Sequence, residues 1–185
     1  MSTTSTELSQ LTGEYTLDPA HTRIGFVARH AMVTKVRGAF NEFTGSARID
    51  GVDLAGSSVR VDIDVASIDT RNPDRDAHLR GADFLQIERY PRISFVSTQV
   101  RPTADGVQIT GDLTIKGVTR HVSVPFSFEG EATDPFGNTR VGFEGSTTIN
   151  RRDFGITWNA ALETGGVLVG NKVTLEFDIS AVKQA

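Results

Sequence analysis

Apolar and polar side chains alternate along most of the chain with the two-residue period of β-strands. From about Tyr15 to His30, Thr22, Ile24, Phe26, Ala28 and His30 share one face, and Arg23, Gly25, Val27 and Arg29 the other. A turn near Ala31-Met32 leads to a weakly patterned run, Val33 to Ile49, that holds Phe40, Phe43, Ala47 and Ile49 with Gly38 and Gly45 as bends or bulges. Val59, Val61, Ile63 and Val65 then oppose Arg60, Asp62 and Asp64. The stretch Arg92 to Arg101 is apolar on both sides, with Ile93 and Phe95 against Val96 and Val100. Four further strands follow, with apolar faces formed by Val107, Ile109, Leu113 and Ile115, by Val122, Val124, Phe126 and Phe128, by Val141, Phe143, Thr147 and Ile149, and by Val173 through Ala181. Ile156 to Ala161, around Trp158, reads as a strand, and Glu163 to Asn171 as a flexible loop or loose hairpin.

The alternation breaks once, between Ile68 and Pro91, where one helix is predicted over residues 73–80. Asn72 suits the N-cap and Pro73 the first helical position. Asp74 and Asp76 complement the positive end of the dipole and Arg80 the negative end, and Gly81 is expected to supply a left-handed stop. In a chain of strands this helix is expected to lie against a barrel opening. Leu79, Phe84 and Leu85 would present its apolar side there, as a wall or lid.

About eight strands with short antiparallel connections can stack as a sandwich or close on themselves. Strands of around ten residues, each with one apolar and one charged face, favour an all-β, closed antiparallel lipocalin-like barrel with one short helix inserted. The 185 residues suit one domain, over 13–185, after a polar, unpatterned tail at 1–12 that is expected to be disordered. A formal net charge of −4 argues against a nucleic-acid partner. There is no cysteine for a disulfide, thiolate site or nucleophile. With no apolar run of membrane-spanning length and no secretory pattern at the N-terminus, the expectation is a cytoplasmic protein without a membrane span.

The candidate chemistry is sparse. His21 and His30 lie nine residues apart in one predicted strand, roughly 30 Å at ~3.3 Å per residue, which makes a shared metal site improbable. His30, on the face of Ile24 and Phe26, is either an interior histidine or a headgroup contact. His121 falls on the outer face, and His78 can pair with Asp74. Arg71, Arg75, Arg80, Arg89 and Arg92 could bind phosphate, but Asp69, Asp74, Asp76, Asp83 and Glu88 match them in number, so a salt-bridged helix is the simpler reading. Asn150, Arg151 and Asp153 read as turn and pairing residues. No nucleophile motif, phosphate-binding glycine loop or metal-ligand cluster points to an enzyme, and no cofactor is called for.

Several segments together resemble the YceI family: Asp18-Pro19-Ala20-His21-Thr22 with Ile24-Gly25-Phe26 and His30, then Arg75 to Leu85, Tyr90-Pro91, Gly111 to Gly117, and Asn150-Arg151 before Asp153-Phe154-Gly155. They keep order and spacing over roughly residues 13 to 182. The resemblance implies an extended lipocalin-like barrel that binds a long-chain isoprenoid or other lipid in its interior, and a homodimer. The candidate lining is Phe26, Phe40, Phe43, Ile63, Phe95, Leu113, Phe126, Phe143, Phe154 and Trp158, with His30, Leu79, Phe84 and Leu85 as further ligand contacts. For these apolar side chains the alternative is a barrel packed solid by its own residues. The functional alternatives are an enzyme acting on an isoprenoid and a filled barrel serving as scaffold or chaperone.

Overall fold

The computed structural model describes residues 3–163 and 165–185, with side chains from residue 6 onward. The strands are β1 (Gly13–Leu17), β2 (Arg23–His30), β3 (Thr34–Phe40), β4 (Phe43–Ile49), β5 (Ser58–Asp64), β6 (Ile68–Asp69), β7 (Arg92–Pro102), β8 (Gly106–Ile115), β9 (Val118–Thr133), β10 (Thr139–Asn150) and β11 (Val169–Lys183). All their pairings are antiparallel. β1 and β2 pair with successive stretches of β11, Leu17 opposite Ala181 and Arg23 opposite Asp178. They are two halves of one wall position. β3 and β4 follow them in the same way, as do β6 and β5. The eleven segments therefore make an eight-stranded barrel. Pairing runs β1–β4–β5–β7–β8–β9–β10–β11 and returns to β1, so the main ring has no free edge.

The breaks within these paired strands are built by side chains that replace the ladder. Between β1 and β2 the Thr22 hydroxyl donates to the Ser180 carbonyl and accepts from the Ser180 amide. Asp64 caps the short turn at Val65–Ser67 by accepting from the Ala66 amide.

Helix α2 spans Pro73–Arg80, and the Asn72 side chain accepts from the Arg75 amide at 3.1 Å. Gly81 does not make the left-handed stop, since its φ is −80°. The chain turns back instead at Gln86, φ 48°, where the Leu85, Gln86 and Ile87 amides donate to Leu79, Gly81 and Arg80 carbonyls. The 81–87 segment is thereby folded over the helix end.

Three further expectations change. The supposed tail contains helix α1 (Thr3–Leu8), and Leu8 and Leu11 are buried, with Tyr15 donating its hydroxyl hydrogen to the Leu11 carbonyl. Two leucines three residues apart are enough to dock a short helix that composition marks as polar. The two-sided pattern of β7 comes from a register shift between Ser97 and Gln99, which returns Val100 to the interior opposite Ile109. The outer patch is thus reduced to Val96. Ile156 to Ala161 is not a strand. Among the described residues its ladder contact is the bridge Ala161–Val167, and Asn159 ties it to β11 instead, donating to the Val169 carbonyl and accepting from the Val169 amide.

Candidate functional site

The inward residues of the ring do not meet at the centre. They surround a cavity of about 310 Å³, at the lower end of the range for small-molecule pockets. Its wall is apolar almost throughout, with whole inner faces of β8 (Val107, Ile109, Leu113, Ile115) and β11 (Val173, Leu175, Phe177, Ile179, Ala181) exposed to it.

Glycine keeps the bore open. Gly145 stands in register between Phe126 and Phe177, and a Cβ there would lie 2.6 Å from Phe126 Cδ1. Gly38 stands opposite Phe26, whose Cζ such a Cβ would overlap. The rings therefore lie along the wall over the glycines instead of projecting into the lumen. The Phe126 and Phe177 ring centroids are 5.9 Å apart.

Side chains stand at both ends of the cavity. Leu8 and Tyr15 border one end, where Leu11, Val100, Val107, Val141 and Ala181 form a buried cluster. Leu79, Phe84 and Leu85 border the other with Phe154 and Ile156. There the His78 ring stands edge-on to Phe84 and Trp158 at 4.9 and 4.8 Å, and its Nε2 lies 2.8 Å from Asp83 Oδ2. His78 thus pairs with Asp83, not Asp74.

Of the candidate lining, Phe26, Phe40, Ile63, Leu79, Phe84, Leu85, Phe95, Leu113, Phe126, Phe143 and Phe154 lie on the cavity wall. Three do not. His30 is exposed at the end of β2, opposite Val169 and Thr34, and its side chain is not on the wall although that of Val169 is. Phe43 is buried in the core beside Ile63 without reaching the lumen. Trp158 packs outside the wall on His78 and Phe84.

Polar side chains at the wall are few: Tyr15, Ser46, Arg48, Ser57 and Arg151. Arg151 is 4% exposed and, among the described residues, has no carboxylate partner. Its Nη1 donates to the Ile156 and Trp158 carbonyls, each at 2.9 Å, its Nε to Gly170 at 3.0 Å and its Nη2 to Val169 at 3.4 Å. Burial lowers its pKa, and neighbouring Arg152 adds to that. Arg151 is a staple between the 156–158 segment and β11, with its guanidinium held as a cation by carbonyl dipoles.

The helix arginines are likewise bound to backbone or hydroxyl oxygens. Arg75 donates to the Thr70 hydroxyl and carbonyl, and Arg80 to the Ala66 and Ile68 carbonyls. Buried Asp76 accepts from the Thr70 amide and hydroxyl. Among the described residues, the segment pairs His78 with Asp83 but none of its arginines with a carboxylate. Its charges fasten α2 to β6 instead of gathering around a phosphate.

Away from the cavity, Arg140 donates to Asp18 and Asp134 and joins the β1–β2 break to the β9–β10 hairpin. The Arg140 bond, then the His21 bond, hold the Asp18 carboxyl at about 2. The Asn138 amide, with Arg140 adding to it, holds Asp134 at about 2.

What this arrangement can do chemically is hold an apolar chain away from water. Arg151, Tyr15 and Leu8 were missed as wall residues by periodicity. For Leu8 the signal was the Leu8–Leu11 spacing. For Arg151 none existed outside the Asn150-Arg151 motif.

A model of the YceI-like domain matches residues 15–181. A UPF0312 protein of Pseudomonas aeruginosa is 38% identical over 148 residues, 79% of this chain and 78% of that protein. Among solved structures, Burkholderia cenocepacia BcnA superposes with a TM-score of 0.78 at 27% identity, covering 89% of this chain and 98% of that one. A polyisoprenoid-binding domain from Saccharophagus degradans superposes at 0.70 and 14% identity over 92% of this chain and 98% of that one, which is a likeness of fold.

Proposed function

This chain belongs to the YceI-like domain family, and from that membership and the barrel interior we propose that it binds a long-chain isoprenoid or similar amphiphilic lipid as a carrier, storage or sensing protein. The observation that carries the reading is the apolar cavity of about 310 Å³ inside the barrel. Each CH₂ moved into such a space contributes about 0.8 kcal/mol, so a long chain needs little polar recognition along its length. The Saccharophagus degradans neighbour, a polyisoprenoid-binding domain, supports the same ligand class on the same fold.

Binding without turnover is part of the proposal. The buried carboxylate Asp76 is committed to Thr70, and the buried guanidinium Arg151 to carbonyls, so neither is poised over the lumen as an acid, base or electrophile. The reading also takes the family's homodimer as its assembly, which sedimentation of the purified protein checks.

Organic extraction of the purified protein followed by mass spectrometry tests the ligand. A co-purifying prenyl lipid at near-stoichiometric yield is expected. An empty extract, together with failure to take up a long-chain prenol from detergent micelles, would leave a filled scaffold as the better account. Conversion of that prenol to a product would make the protein an enzyme.

A further inference from the structure

The tip of the β2–β3 hairpin is built against folding economy. Ala31 and Met32 have φ of 51° and 65°, a left-handed turn that glycine and asparagine adopt at low cost. Met32 is nonetheless 62% exposed and Val33 77%. Beside them, across the Ala31 amide bond to the Leu168 carbonyl and the contact of Met32 with Gly166, lies Val167, 41% exposed. Three large apolar side chains are thus exposed close together beside the left-handed Ala31-Met32 turn, where folding alone favours polar residues.

Exposed cations border this patch. Arg29 and Lys35 are paired in register across the hairpin, and Arg29 lies against Gly170, two residues before Lys172. None of the three forms an ion pair among the described residues, whereas Arg23 and Arg37, farther along the same strands, are engaged by Glu176. The chain as a whole carries −4, so these three cations run against the net charge, with Glu163 the acid of the adjoining turn. This end is also continuous with the cavity, since Val169, opposite His30 at the end of β2, lines it.

We propose that this end docks on an anionic lipid bilayer, with Met32, Val33 and Val167 inserted at the level of the headgroups and Arg29, Lys35 and Lys172 against lipid phosphates. The inference rests on the lipid-binding reading, because a ligand insoluble in water must be collected from or returned to a membrane. Apolar side chains supply the insertion, and cations within a Debye length of the surface supply attraction that salt screens.

The test is flotation with phosphatidylcholine vesicles containing about 30% phosphatidylglycerol, and with pure phosphatidylcholine. The full chain is expected to float with the anionic vesicles and to be released by salt. Met32→Asp with Val33→Asp should abolish flotation. Each of Lys35→Gln and Lys172→Gln should weaken it about fivefold, the equivalent of ~1 kcal/mol per charge. Phe136→Asp is the control. Phe136 is 86% exposed but sits at the opposite end, on the hairpin near the Arg140–Val182 pairing, and its loss should change nothing. Wild-type protein that does not float, a tip variant that floats normally, or an effect of Phe136→Asp equal to that of the tip would each overturn the proposal. Uptake of a long-chain prenol from detergent micelles, measured alongside on the same variants, separates the two readings. Uptake without flotation removes only the docking surface, and absence of uptake in the wild type removes the lipid-binding reading itself.

Discussion

Arg151→Met keeps the length and apolar stem of the buried side chain and removes all of its donors. Three of the four bonds it makes are of full strength, at 2.9, 2.9 and 3.0 Å, and the fourth is long at 3.4 Å. Hydrogen bonds to a charged group contribute ~1.5–3 kcal/mol each, so three give roughly 5–9 kcal/mol before compensation. Two effects reduce this. Trp158, Val169 and Gly170 are only half-buried, so water can take over part of their carbonyls, and methionine escapes the desolvation of the guanidinium. Ile156, at 9% exposure, has no such relief. A net loss of about 3 kcal/mol is expected, read as a lower midpoint in urea at unchanged slope. Arg151→Lys should recover only part of it, because one ammonium cannot span carbonyls on both the 156–158 segment and β11. A midpoint shift below about 1 kcal/mol for Arg151→Met would refute the staple, as would full recovery by lysine.

Three other outcomes are expected. Gly145→Ala should place a methyl 2.6 Å from Phe126 and 2.7 Å from the Pro125 carbonyl, driving the ring inward; prenol capacity should fall and stability drop by ~1–3 kcal/mol, and undiminished capacity would show that the glycine does not set the bore. Leu79→Ala with Phe84→Ala should cost several kcal/mol, about 3 or more, because Phe84 is 6% exposed in the core; faster prenol exchange with thermal unfolding almost unchanged would show a lid there instead. Arg140→Gln should destabilise the protein at neutral pH. Because Asp18 and Asp134 have folded pKa values of about 2, below their unfolded values, the contribution is complete above ~pH 4 and is lost as pH falls through about 2, so melting curves of variant and wild type should converge in acid.

Much of the wall was readable from the chain alone, and so was helix α2. Alternation is local: once a strand is straight, parity alone puts Val107, Ile109, Leu113 and Ile115 on one side and their neighbours on the other, and the structure keeps that assignment along β8 and β11. Asn72 and Pro73 begin a helix for reasons contained within one turn. Tertiary structure decided whatever depends on register or on distant partners. A single shifted residue near Thr98 turned an apparently two-sided strand into an ordinary one. His30 kept the parity of the interior yet is exposed at the strand end, because parity does not say where a barrel ends. Gly145 has meaning only beside Phe126 and Phe177 on neighbouring strands, and Arg151 only once carbonyls up to 19 residues away have gathered around it. Whether an apolar face becomes a packed core or a lined cavity is such a case too, since it depends on how rings from different strands share the centre, and no period along one strand records that.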